Sequence, residues 1–213
     1  MRLLISALTA LMLFATPVVA GDLEDAWAAY EAGDYVKAFR LFKSLAEQGN
    51  VDAQFNVGEM YDNGKGVPED NAKAVYWYRK SAEQGDKWAQ FNLGIKYDKG
   101  EGVPENDAKA VHWYRKAAEQ GLARARLRLS LMYATGDGVP EDYVQAYAWS
   151  SIAAVQGEEL AKKSQGLIKE QITPAQIAEA QKPRSYLPSF GESTSCRSRR
   201  TSREEYGGLS LTP

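Results

Sequence analysis

Cysteine and histidine are almost missing: the 213 residues hold one of each, Cys196 and His112. A single cysteine rules out an intrachain disulfide, so packing alone must hold the fold. A single imidazole rules out a multi-histidine metal site, and with no thiol near it in sequence it makes no nucleophile pair. Ser-x-x-Lys, Gly-x-Ser-x-Gly and His-Glu-x-x-His are also missing, and with them the common spacings for an activated serine or a zinc-bound water. Charge of one sign is lacking too. The formal charge is -2, which argues against a chain dominated by phosphate binding. These residues give no reason to expect catalysis, a cofactor, a metal ion or a nucleic-acid partner.

Long apolar runs are scarce as well. One occurs, from Leu3 to Phe14, flanked by Arg2 and followed by Pro17-Val18-Val19-Ala20. A basic flank, a short apolar stretch and small residues at its end predict a signal peptide cleaved after Ala20. The run is short for a permanent bilayer span. The expected location is therefore periplasmic or secreted, with no stable membrane span after cleavage.

What the chain has in quantity is repetition. Gly64-Lys65-Gly66-Val67-Pro68-Glu69-Asp70 is followed by Gly100-Glu101-Gly102-Val103-Pro104-Glu105-Asn106 and Gly136-Asp137-Gly138-Val139-Pro140-Glu141-Asp142, at a period of 36 residues. A fixed period of this length predicts a solenoid of stacked supersecondary units. The glycines resemble a nucleotide loop only superficially, because no Lys-Ser/Thr follows them and no strand precedes them. Instead, Gly64, Gly100 and Gly136 fall where a helix ends and a positive φ is needed. The second glycine tightens the turn, the valine plugs the gap between helices, and the proline stops the first helix from running on. Asp70, Asn106 and Asp142 cap the helix that follows.

Helices are expected on both sides of each loop: Ala53–Asp62, Ala89–Asp98 and Ala125–Ala134 before it, and Asp70–Gln84, Asn106–Gln120 and Asp142–Gln156 after it. Ala53/Ala89/Ala125, Val57/Leu93/Leu129 and Tyr61/Tyr97/Tyr133 form one packing stripe. Gly58 and Gly94, matched by Ser130, permit close helix approach. Trp77, Trp113 and Trp149 are expected as buried wedges rather than a ligand-stacking box. His112, beside Trp113, is expected at a helix surface.

The pattern Ala-x-x-x-Val/Leu-Gly-x-x-Tyr-x-x-Gly-x-Gly-Val-Pro-x-Asp/Asn-x-x-Lys-Ala-x-x-Trp-Tyr-Arg-Lys-x-Ala-Glu-Gln-Gly runs from Ala53 to Gly85 and again from Ala89 to Gly121. It resembles the Sel-one-like repeat (SLR), a variant of the tetratricopeptide repeat with a longer turn inside each hairpin. The resemblance implies an all-α, right-handed α-α superhelix of about ten helices. The third copy departs, with Ser130 for glycine, Gln145 for lysine and Ala148-Trp149-Ser150-Ser151 for His112-Trp113-Tyr114-Arg115. The implied organisation is a signal peptide at 1–20, a tetratricopeptide-like capping hairpin with a short first helix at 21–49, and repeats at 50–85, 86–121 and 122–157. Capping helices follow at 158–181, where Leu160, Leu167, Ile168 and Ile172 supply an apolar side and Thr173-Pro174-Ala175-Gln176 a capping box. The segment 182–213, with its arginine run, reads as a disordered basic tail.

In hairpins of this kind the first helices line the concave side. The resemblance therefore implies a protein-interaction scaffold of the cell envelope that holds a peptide or protein segment in that groove. Matching the repeats nominates Phe55, Glu59, Asp62, Phe91, Ile95, Lys99, Arg124, Leu127 and Arg128 as groove residues, with Leu131 aligned beside them. Phe55, Phe91 and Leu127 would form an apolar floor, acidic at one end and basic at the other. The alternative, by analogy with cysteine-rich relatives, is a cell-wall-related, β-lactam-type small-molecule binder or hydrolase.

Overall fold

A computed structural model of the chain describes residues 20–182. The expected signal segment ahead of Ala20 and the tail beyond Lys182, with Cys196, lie outside the described residues. Ten helices follow in order: α1 (Ala20–Glu31), α2 (Tyr35–Glu47), α3 (Val51–Asp62), α4 (Asn71–Glu83), α5 (Lys87–Lys99), α6 (Asp107–Glu119), α7 (Ala123–Thr135), α8 (Tyr143–Val155), α9 (Glu159–Lys169) and α10 (Pro174–Ala180). From α1 to α9 each helix packs chiefly on its neighbours in sequence, so the described residues form a helical-repeat superhelix of stacked hairpins. The first helix is not short: α1 and α3 both span 12 residues.

The loop between paired helices is closed in the same way three times. Asp70, Asn106 and Asp142 each accept a 2.9 Å bond from the backbone N–H of Lys73, Lys109 and Gln145. Their own N–H groups donate back to the carbonyls of Tyr61, Tyr97 and Tyr133 at 2.9, 2.8 and 2.8 Å. One residue thus caps the second helix and ties it to the end of the first. Gly100 and Gly136 end α5 and α7 in the left-handed conformation, as expected. Asn50 and Asp86 cap α3 and α5 through Ala53 and Ala89. Leu122 holds that place before α7, makes no side-chain cap, and is buried instead.

The second loop glycine does more than tighten a turn. A Cβ on Gly66 would stand 2.2 Å from the carbonyl oxygen of Tyr35, one on Gly102 2.4 Å from that of Asn71, and one on Gly138 2.5 Å from that of Asp107. Tyr35, Asn71 and Asp107 are the first residues of α2, α4 and α6. Each loop therefore presses its backbone onto the preceding repeat's second helix, and only a residue without a side chain permits the contact.

The departures of the third repeat are coupled. Gly58 and Gly94 lie under the rings of Tyr78 and Tyr114, where an added Cβ would stand 2.7 Å from ring carbon. Those tyrosines donate their hydroxyls to Asp62 and Asp98 at 3.1 and 2.9 Å. One period on, the trio becomes Ser130, Ser150 and Ala134. Loss of the ring opens room for the serine, whose Oγ donates to the Ala146 carbonyl at 2.7 Å, and removes the hydroxyl the aspartate served.

The tryptophan column divides. Trp77 and Trp149 are buried as expected, whereas Trp113 is half-buried, its ring carrying the Lys116 ammonium at 5.0 Å and the edge of His112. A second correction concerns α9. Leu160 and Leu167 do not face the core; they are 50% and 68% exposed, while Ala161 and Ile168 are buried. The reason is register. Ala161 continues the column Ala53/Ala89/Ala125, all 0% exposed, and Ile168 continues Met60/Met132. So α9 packs on α8 as α7 packs on α6, and occupies the place of one more first helix.

The array then stops. In the column of Val57, Leu93 and Leu129 stands Gln165, which donates to Ser151 at 2.8 Å. A polar residue ends the demand for a hairpin partner, and α10 packs on α8. Thr173 and Gln176 form the expected capping box: Gln176 accepts from the Thr173 N–H at 2.8 Å, and the Gln176 N–H donates to the threonine hydroxyl at 3.3 Å.

Candidate interaction surface

Residues that recur at every period are consumed by packing. Gln54 and Gln90 are buried and donate to the carbonyls of Ala46 and Ala82, both at 3.1 Å; Arg126 takes the same place and donates to Ala118 at 3.0 Å. Gln84, Gln120 and Gln156 join this spine at 2.7, 2.8 and 2.7 Å. It runs from repeat to repeat and satisfies carbonyls at helix ends that burial would otherwise strand. Burial pulls the Arg126 guanidinium below its ordinary pKa. Arg79 and Arg115 donate to the hydroxyls of Tyr97 and Tyr133 at 2.9 and 2.8 Å, linking each second helix to the next first helix.

One buried charge breaks the pattern. Where Met60 and Met132 fill their column, Lys96 is 5% exposed. Its ammonium pairs with Asp62, donates to Glu101 at 2.8 Å and to Asn71 at 2.7 Å. Burial alone would lower its pKa, but the two carboxylates outweigh the desolvation and raise it. Lys96 in turn holds the Glu101 carboxyl below its ordinary range. This is a clamp across the boundary between two repeats, and it consumes Asp62, which also serves Tyr78.

The nominated groove residues divide by burial. Phe55, Phe91 and Leu127 are 5%, 8% and 8% exposed. The rings of Phe55 and Phe91 lie against Tyr78 and Tyr114 at 5.9 and 5.7 Å between centroids. These three residues share a column but are covered by packing, so they offer no open floor. Glu59, Asp62, Ile95 and Arg128 are half-buried, and Lys99 and Arg124 are exposed.

Two columns of the first helices are half-buried or exposed at every step. Asp52, Trp88, Arg124 and Leu160 make one; Glu59, Ile95, Leu131 and Leu167 make the other. Leu160 and Leu167 were legible only through the offset of 36 from Arg124 and Leu131; the absence of a glycine loop after α9 hides that register.

His112 is exposed, and burial of its ring edge together with Lys116 and Arg115 lowers its pKa. Among the described residues no group of three or more His, Cys, Asp or Glu is placed to hold a metal ion, and no helix is long and apolar enough to cross a membrane.

Comparison with known proteins places this architecture. The Sel1 repeat protein from Oxalobacter formigenes superposes with a TM-score of 0.66 at 38% identity, over 70% of this chain and 61% of that one. A protective antigen of uropathogenic Escherichia coli strains that displays an SLR fold superposes with a TM-score of 0.52 at 31% identity, over 75% of this chain and 43% of the other. The rat DAP3-binding cell death enhancer 1 shares 44% identity over 45 residues, 21% of this chain and 9% of that protein. The chain thus spans less than two thirds of these relatives. No observation favours the small-molecule hydrolase; the cysteines on which that analogy rests are absent from residues 20–182. The Sel1 repeat matches at residues 29–50, 51–86, 89–122 and 123–158, more than half of the sequence, and the chain belongs to the Sel1 repeat family.

Proposed function

We propose that this protein is an exported scaffold of the cell envelope that binds a segment of a partner protein along its first-helix face, which forms the concave groove. One observation carries the reading: the columns Ala53/Ala89/Ala125 and Val57/Leu93/Leu129 stay small or aliphatic from repeat to repeat, while the accessible first-helix columns change chemical character at each step, from Asp52 through Trp88 to Arg124 and from Glu59 through Ile95 to Leu131. A surface that stays accessible and varies along a rigid stack has the makings of a recognition face. Sel1 repeats generally serve protein interaction, and the rat relative is named for binding another protein. The mixed signs of Glu59, Lys99, Arg124 and Arg128 suit a charged peptide better than a small apolar ligand.

A photo-cross-linking residue at Ile95, and in a second variant at Tyr76 on the second-helix side, tests the face in the organism's envelope. A discrete partner adduct from Ile95 and none from Tyr76 supports the reading. Adducts from Tyr76 alone would overturn it.

A further inference from the structure

The second-helix side carries aligned cations, but Lys73 and Lys109 lie over the rings of Tyr61 and Tyr97 and Arg79 and Arg115 hold tyrosine hydroxyls, so that ribbon is explained by packing. The clamp at Lys96 is likewise satisfied internally. The first-helix columns gain apolar exposure toward the C-terminal end, beside the arginines of α7; on α9, Lys163 stands between the exposed Glu159 and Glu170. Ile95 is half-buried, Leu131 is 39% exposed and Leu167 is 68% exposed, and Leu160 on the neighbouring column is 50% exposed. Arg124 and Lys163 are exposed beside them and Arg128 is half-buried. At the other end of the same columns stand Asp52 and Glu59.

From this, and resting on the first-helix groove reading above, we infer that the partner is an acidic amphipathic peptide segment. It lies on the ribbon Ile95–Leu131–Leu167 with its carboxylates toward Arg124, Arg128 and Lys163. Aliphatic side chains of the partner cover the exposed leucines, and burying that area drives association. The basic flank selects acidic over basic sequences, and Asp52 and Glu59 repel an acidic segment that strays toward the N-terminal repeats, which fixes where along the array it sits. Half of this site is α9, a helix that follows the last matched repeat.

The test is selection of short random peptides displayed on phage against the full chain, followed by anisotropy titration of the enriched peptides on purified variants. The expected ligands combine Asp or Glu with Leu, Ile or Phe. Their affinity should fall at least about tenfold on Leu167→Glu and on Lys163→Glu, and should weaken with added salt. Both positions are exposed, so circular dichroism should match the parent chain; Tyr76→Glu should leave affinity unchanged. Enriched peptides that are basic or uncharged, or that ignore Leu167→Glu and Lys163→Glu, overturn the inference. If such peptides are nonetheless lost on Ile95→Glu, the groove reading stands and only the acidic partner falls. If no enriched peptide depends on Ile95 or Leu167, both fall.

Discussion

Gly102→Ala isolates the contact that stacks one repeat on the next. Two costs add at this position. Gly102 has φ of +73°, and an alanine held in the left-handed region costs roughly 1–2 kcal/mol. The new Cβ would also stand 2.4 Å from both the carbonyl carbon and oxygen of Asn71. That neighbour is backbone at the start of α4, which cannot swing aside as a side chain would, so overpacking adds about 1–3 kcal/mol. The total, about 2–5 kcal/mol, is a large share of a typical domain's stability. Gly85→Ala is the control. Gly85 also has positive φ, +97°, yet a Cβ there meets nothing within 4 Å, so only the conformational cost of about 1–2 kcal/mol applies. Urea unfolding followed by circular dichroism measures both. Gly102→Ala should lower the midpoint more than Gly85→Ala, and should flatten the transition if the two halves of the stack begin to unfold separately. Equal midpoints for the two variants would refute the idea that the second loop glycine exists for inter-repeat contact.

Further outcomes follow from the Lys96 clamp and from the Gly94–Tyr114 contact. Lys96 holds the Glu101 carboxyl below its ordinary pKa of 4.5, so that contribution to stability is complete above pH 4.5 and is lost as pH falls through the depressed value. Lys96 itself is raised above its ordinary 10.5, so its share is complete below pH 10.5 and lost as pH rises through the folded value. Urea midpoints across pH should show both shoulders in the parent chain, whereas Lys96→Met should lose the alkaline one and weaken the acid one. Lys96→Ala should cost about 3 kcal/mol, more than Lys96→Met, because it adds a cavity to the stranded carboxylates. In the second repeat, Gly94→Ala should destabilise by about 1–3 kcal/mol through the Tyr114 ring. Combined with Tyr114→Ser, it should cost less than the sum of the single changes, with the coupling read from a double-mutant cycle; strict additivity would break the explanation offered for Ser130 and Ser150.

The accessible side of the first helices was legible in part. Matching the repeats brought Ile95, Arg124, Arg128 and Leu131 to one side, because a constant period puts equal offsets on equal faces. It could not tell Phe91 from Ile95. Both are apolar and four residues apart on α5, and what separates them is packing across helices, where the Tyr114 ring lies against Phe91. Leu160 and Leu167 were misread as core for a related reason. Amphipathic spacing identifies an apolar side of a helix, whereas Ala161 and Ile168 win the core by continuing columns set six helices earlier.

What the sequence by itself determined is everything that depends on local chemistry repeated at a fixed interval: the helices, the loop with its left-handed glycine, the aspartate and asparagine caps, and the stacking that such a period forces. Each follows from a short stretch of chain, and three copies make the inference redundant. The tertiary structure decided what depends on a neighbour on another helix, in the same repeat or the next. It showed that the second glycine clears a foreign carbonyl, that Asp62 serves Tyr78 and Lys96 rather than the surface, and that Gly, Tyr and Asp change together. Those contacts join residues 16 to 34 positions apart, and their strength lies in distances between helices that local chemistry along the chain does not encode.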